Sequence, residues 1–261
     1  MNAASPRSPV ALTRDVSRSF ANCELTHLSR VPIDVDRARA QHDAYERALA
    51  EAGYRVERLP AGDDIPDSVF IEDAAIVFDE LAIVTRPGAP SRREEIAAVA
   101  DALAPYRSVC AIQAPGTIDG GDVLVTGRRV FVGVSTRTNR DAIAQLRRML
   151  TPHGYTVAEA AASECLHLKS AVTAIADDVL LINPAWISPS AFEEFEVVGV
   201  DEREPMAANA LRLNDRVICA SAFPRTAERL AKRGLKIVTV DVSELAKAEG
   251  AVTCCSVLLT V

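Results

Sequence analysis

The sequence predicts an α/β protein whose units repeat and close around a common axis as one domain. Three observations carry that expectation. An acid, strand, turn, strand and arginine recur, so that Asp122 follows Asp73 by 49 residues and Arg137 follows Arg86 by 51. Each unit reads strand, strand, helix, strand and cannot bury its apolar faces alone, so neighbouring units must share them. No Pro-, Gly- or Ser-rich linker and no low-complexity segment divides the 261 residues.

Residues 1 to 30 carry few periodic cues, and Ser19 to Thr26 reads as a loop. From Asp34 to Gly53, Ala, Leu and Tyr share one face with charges opposite and a terminal Gly, which predicts a capped amphipathic helix. A strand at Tyr54–Leu59 and a loop at Pro60–Pro66 follow. The first clear unit is the strand-like run Asp67–Phe78, a turn at Asp79-Glu80, the strand Leu81–Thr85, the stop Arg86-Pro87-Gly88 and a helix from Ser91 to Leu103. The second has Thr117–Val125, a turn at Gly127-Arg128, the strand Val130–Val134, the segment Ser135–Arg140 and a helix to about His153. Weaker copies begin at Lys169, with strand Val179–Pro184, and at Met206, with strand Arg216–Ala220 and a helix from Ala227 to Gly234. The N-terminal helix and the β-branched, apolar run Val252–Val261 would complete a fifth unit.

Composition narrows the function. With 49% hydrophobic and 25% charged residues the chain is an ordinary globular one, long enough to bury a core without metal or disulfide support. The first dozen residues lack an apolar segment of signal-peptide length, and no run approaches the 18 or more apolar residues of a membrane helix, so a cytoplasmic location is expected. Cysteines 23, 110, 165, 219, 254 and 255 have no CxxC spacing, which argues for reduced thiols and against a zinc knuckle. A net charge of −7 with scattered Lys and Arg argues against nucleic acid.

Equivalent ends of the units carry chemistry-bearing residues: Asp67, Glu72 and Asp73, then Asp119 and Asp122, then His167, and finally Cys254, with Arg86 and Arg137 after the second strands. Taken singly each has a plain alternative. Acids cap turns, Glu72 suits solvent or a contact through its backbone, arginines suit exposed helix entries, and His167 between leucines suits a core histidine. Cys254 and Cys255 stand where a loop enters a strand, so they face opposite ways, and both suit small core residues. His27, His42 and His153 read as loop or helix-surface residues. Taken together the set suits a single chemistry, in which carboxylates fix a planar guanidinium, arginines receive a carboxylate at the far end, and a thiolate beside a histidine attacks the carbon between.

Pro66–Asp73, Ile83–Gly88, Asp119–Leu124, Ser135–Asn139, Leu166–Ser170 and Val252–Ser256 resemble, in matching order, the motifs of dimethylarginine dimethylaminohydrolase, the dimethylargininase branch of the amidinotransferase-related pentein enzymes; Gln41–Ala48 is also similar. The resemblance implies a five-bladed α/β propeller over residues 1–261. It implies Cys254 as nucleophile, His167 as general acid/base and Asp119 as their partner. Asp73, with Glu72 beside it, would grip the guanidinium; Asp67 and backbone around Leu25, in a mobile lid, would take the α-amino group. Arg86 and Arg137 would take the α-carboxylate, and the backbone of Ala248 would touch substrate. The implied reaction is hydrolysis of mono- and asymmetric dimethylarginine to citrulline and methylamine or dimethylamine through a covalent thiouronium. No metal or organic cofactor is implied, although zinc would inhibit by capturing Cys254 and His167. The partner is a small-molecule substrate, with neither nucleic acid nor membrane, in a monomer or homodimer. Arginine deiminases carry an acid two residues after the histidine, where this chain has Lys169; that departure favours methylated over free arginine. An arginine deiminase-like or citrulline-hydrolysing pentein, or a non-catalytic amino-acid binder, are the alternatives.

Overall fold

The computed structural model describes residues 8–62 and 64–260. Expectations for the first seven residues, Asp63 and Val261 lie outside the described residues. The chain opens with β1 (Val10–Arg14), buried along its length, and crosses by α1 (Val35–Glu51) to β2 (Arg55–Leu59), which runs parallel to it. The Asp34 carboxylate accepts the Arg37 N–H at 3.0 Å to start α1, and Gly53, at φ +93°, releases the chain behind it.

Four blades then repeat one plan, in which a middle strand runs antiparallel to an inner strand and parallel to an outer one. The second blade is β3 (Ala75–Val77), β4 (Leu81–Val84), α2 (Ile96–Leu103) and β5 (Ser108–Ala111). The third is β6 (Val123–Thr126), β7 (Arg129–Gly133), α3 (Arg140–Leu150) and β8 (Thr156–Ala160). The fourth begins with α4 (Leu168–Ala171) and has β9 (Val172–Ala176), β10 (Val179–Ile182) and β11 (Glu196–Gly199), with only a 3-10 turn, Pro189–Phe192, where the others have a helix. The fifth is β12 (Leu211–Leu213), β13 (Arg216–Ala220), α5 (Pro224–Lys232) and β14 (Lys236–Val240). After α6 (Ser243–Ala246), β15 (Val257–Leu259) returns to pair antiparallel with β1 and completes the first blade. A cavity of about 340 Å³ lies on the axis, and Ile76, Leu124, Thr173, Leu211 and Val257, one from each inner strand, line it.

At one end of that axis a closed ring of hydrogen bonds joins the turns that precede the inner strands. Gly121 N–H donates to Asp73 (3.0 Å), Leu168 N–H to Asp122 (3.0 Å), the Asn209 amide to the Lys169 carbonyl (3.2 Å), Thr253 N–H to Asn209 (3.0 Å) and Glu72 N–H to the Cys254 carbonyl (3.1 Å). Each blade thus donates to the one before it. Close approach explains the paired glycines: a Cβ at Gly120 would lie 1.9 Å from the Glu72 carbonyl oxygen, and one at Gly121 would lie 2.6 Å from the His167 ring.

The structure corrects several expectations. Residues 10–14 are the central strand of a blade; three apolar residues behind a proline, followed by Thr13 and Arg14, are too few to show a period. Only residues 75–77 of the run 67–78 form a strand, because Ile71–Ala74 is a 3-10 turn that lifts the acids onto the ring. Cys254 and Cys255 likewise sit in a turn before β15, so turn geometry, not strand alternation, separates them. His42 is buried within α1, not on its surface; its ring nitrogens have no hydrogen-bond partner among the described residues, and burial lowers its pKa. No helix among the described residues is long and apolar enough to cross a membrane.

The first blade is tied to α1 by the buried Tyr45 hydroxyl and Ser256 Oγ, 2.7 Å apart. Tyr45→Phe leaves Ser256 without that partner and is expected to cost about 1–3 kcal/mol, read as a lower urea midpoint at unchanged m-value. An unmoved midpoint would show that the pair contributes nothing.

Candidate active site

The ring turns present their side chains to one end of the axis. His167 stands just before α4, and Asp122, buried beneath it, holds the entry to that helix through Leu168 N–H while accepting from Ser135 Oγ at 2.6 Å. Asp119 accepts from His167 Nε2 at 3.2 Å through one oxygen and from Gly88 N–H at 2.9 Å through the other. Asp73 lies on the other side of the imidazole, 3.8 Å from Nδ1. Burial opposes a charge on His167, but Asp73, the Asp119 hydrogen bond and Asp122 outweigh it and raise its pKa to about 9. Burial also opposes a charge on Asp73; His167 and Arg92 prevail there and lower it to about 2. The pair is therefore imidazolium and carboxylate near neutral pH.

Arg92 is the buried cation of the site. It reaches Asp73 at 2.5 Å, both oxygens of Glu95 at 3.0 and 2.9 Å, and the carbonyls of Phe70 and Asp67 at 3.0 and 3.3 Å. Its guanidinium fixes Asp73 and the segment 67–70 in one contact set.

A small pocket lined by Asp67, Asp73, Asp119, Arg137, His167, Ala248 and Cys254 is covered by the loop after Cys23. Glu24 N–H donates to Asp67 at 3.1 Å, and Arg137 donates to Thr26 Oγ1 at 3.0 Å. Glu249, held at φ +61°, accepts the consecutive N–H groups of Thr26, His27 and Leu28 at 3.0, 2.5 and 2.7 Å. Burial raises the pKa of Asp67 despite Arg92 nearby, so a cation at Asp67 would be doubly welcome.

Cys254 borders this pocket. Burial, with the Glu72 and Asp73 carboxylates adding to it, pushes its thiol far above the usual cysteine range. Cys255 faces the core and is pushed up in the same way. Glu72 places its carboxylate between Lys169 Nζ (2.7 Å) and Thr253 Oγ1 (2.8 Å), while its backbone N–H meets the Cys254 carbonyl.

The structure brings Cys254, His167, Asp119, Asp73, Asp67, Arg137 and Ala248 together. Glu72 stands on the other side of Cys254, and Leu25 packs against the core while its neighbour Glu24 faces the pocket. Arg86, expected at the α-carboxylate, stands apart from this group. Its guanidinium donates to the Gly116 carbonyl at 3.2 Å, its backbone bridges to Ile118, and it lines neither cavity beside Cys254. Arg92, which sequence reasoning did not single out, lines the pocket beside Arg137. A sequence signal for it existed: a cation in the first turn of an expected helix opposes the helix dipole unless something else holds it. Glu249 gave no such signal. Among the described residues Asp73, Asp119 and His167 also have metal-ligand spacing, but both acids are already hydrogen-bonded, and Cys254, expected to share zinc with His167, is not in that group.

Known proteins resemble this chain in sequence and in fold. A family model described as N,N dimethylarginine dimethylhydrolase, eukaryotic, matches residues 26–260. An N(G),N(G)-dimethylarginine dimethylaminohydrolase of Streptomyces coelicolor is 43% identical over 97% of both chains, and one of Pseudomonas aeruginosa is 36% identical over 85% of this chain and 89% of its own. The solved Pseudomonas aeruginosa enzyme, a cysteine-to-serine variant complexed with citrulline, superposes with a TM-score of 0.92 at 33% identity, over 97% of this chain and 99% of that one. The N-terminal domain of the arginine dihydrolase ArgZ, at 19% identity and a TM-score of 0.88 over 97% of this chain and 98% of its own, shares the five-bladed pentein fold. By its matched length and its identity to these relatives, the chain belongs to the dimethylarginine dimethylaminohydrolase family.

Proposed function

We propose that this chain hydrolyses Nω-methylated arginines to citrulline and methylamine or dimethylamine. The observation that carries the reading is a thiol, an imidazolium and buried carboxylates facing one pocket, whose far part offers Asp67 and Arg137 to the α-amino and α-carboxylate groups of an amino acid. Asp73 has lone pairs left to receive a guanidinium after its bonds to Arg92 and Gly121. Every one of these groups comes from a single chain, so the site is complete in a monomer or a homodimer.

Burial beside two carboxylates keeps the resting Cys254 thiol neutral. A guanidinium seated against Asp73 brings positive charge to the sulfur and lowers the cost of ionising it. The thiol proton leaves to solvent as the sulfur bonds to the guanidinium carbon, and the carbon–nitrogen bond to the alkylamine breaks as the His167 imidazolium gives its proton to the departing nitrogen. The neutral imidazole next takes a proton from water, whose oxygen adds to the thiouronium carbon; collapse releases citrulline and returns the thiol. Zinc ligation by Cys254 and His167 would block both steps. We place the activity in the cytoplasm, a reading supported by six cysteines that are all free.

Cys254→Ser is expected to abolish dimethylamine release from asymmetric dimethylarginine, a loss above about 10³-fold, while ligand binding persists; free arginine, run beside it, is expected to be a poor substrate. Turnover by the serine variant would exclude the covalent route. Arg137→Met is expected to raise KM by about 10- to 100-fold, the worth of a charged hydrogen bond, with kcat little changed, and a fall in kcat alone would remove Arg137 from substrate binding. The third expectation concerns pH. A histidine raised to about 9 is protonated below that pH and loses its proton above it, so kcat/KM should fall on an alkaline limb near 9. Asp119→Asn removes a charge that favours the imidazolium, so the limb must move down; a limb that stays in place would assign it to another group.

A further inference from the structure

A second cavity, about 240 Å³, shares Cys254, His167, Glu249 and Gly250 with the amino-acid pocket but none of Asp67, Asp73, Arg92 or Arg137. The thiol and the imidazole are therefore the wall between a chamber for the amino acid and a chamber for whatever leaves. The leaving side is mostly apolar, formed by Leu28, Met206, Ala220, Phe223, Val242 and Ala246. Its one deep ion pair, Lys169 with Glu72 at 2.7 Å, is internally satisfied and presents no unpaired charge. Leu28 and Met206, each 46% exposed, mark its mouth. A methyl group occupies only a small part of such a space, and apolar walls are what a longer alkyl chain gains from entering.

From this geometry we propose that the enzyme also hydrolyses arginines whose Nω substituent is an unbranched alkyl chain longer than methyl, with the chain lying in the apolar chamber. This extends, and rests on, the hydrolase reading above. The chemistry is the same: the Cys254 sulfur bonds to the guanidinium carbon, the bond to the alkylated nitrogen breaks, His167 protonates that nitrogen, and the alkylamine departs through the chamber before water replaces it. Each methylene transferred from water to the chamber favours the bound state by up to about fourfold, the ~0.8 kcal/mol of a buried CH₂.

The test is kcat/KM for Nω-methyl-, Nω-ethyl- and Nω-propyl-L-arginine, read as citrulline formed. The propyl compound is expected within tenfold of the methyl one, or above it. A double variant, Ala222→Leu with Ala246→Leu, narrows the chamber from two sides of its exposed rim and should lower the propyl-to-methyl ratio by at least tenfold. Methyl turnover with propyl more than tenfold poorer overturns the chamber while leaving the hydrolase intact, as does an unchanged ratio in the variant. Failure of every compound brings down the hydrolase reading and the chamber together.

Discussion

Around one end of the axis each blade hands a hydrogen bond to the blade before it, and the last hands one back to the first. A single such bond contributes about 0.5–1.5 kcal/mol net. Closure makes the set more demanding than its sum, because no turn can shift without leaving a buried donor or acceptor unpaired on both sides. The site inherits that rigidity. Asp73 and Glu72 enter the ring from one blade, Cys254 from another, and His167 immediately precedes the donor of a third, so thiol, imidazole and carboxylate are fixed relative to one another by backbone. Preorganisation of this kind is what a reaction needs when charge must develop in a buried pocket.

Arg92 extends the constraint outward. Its five donors face two carboxylates and two carbonyls, so Asp73 and Glu95 share one buried cation. Asp67, whose own contact with Arg92 is through its carbonyl, is an acid whose pKa burial raises, and it is receptive to a cation. The pocket thus keeps one carboxylate dedicated to the imidazole, one shared, and one reserved.

Much of this is legible in the chain. The 49- and 51-residue spacings of Asp73 with Asp122 and Arg86 with Arg137 report the blade repeat, and seven of the residues singled out, Asp67, Asp73, Asp119, Arg137, His167, Ala248 and Cys254, line one pocket. What is not legible has physical reasons. The strand Val10–Arg14 is too short to show a period. The fourth blade lacks its helix, which blurs the repeat there. Sequence position singles out Arg86 because it matches Arg137, but a place after a strand does not say where a long side chain ends, and Arg86 rests on the Gly116 carbonyl; Arg92, in no repeated position, lines the pocket. His42 shares a helix face with Tyr45 and Leu49, and its polarity conceals that burial. Glu249 acts by accepting three N–H groups from residues more than 220 positions away, a pairing that no local pattern encodes.

The pairing of β15 with β1 has a consequence for how the molecule comes into being. On the ribosome, chains emerge at roughly 5–20 residues per second and fold from the N-terminal side. Blades two to five each comprise a continuous segment and can assemble as they appear, whereas the first must hold β1 and β2 open until residues 257–259 arrive. Cys254 is delivered by that same late segment. A nascent chain therefore sets no Cys254 thiol beside the His167 imidazole until the blades are made, and that thiol passes from translation into a buried setting in the step that closes the circle.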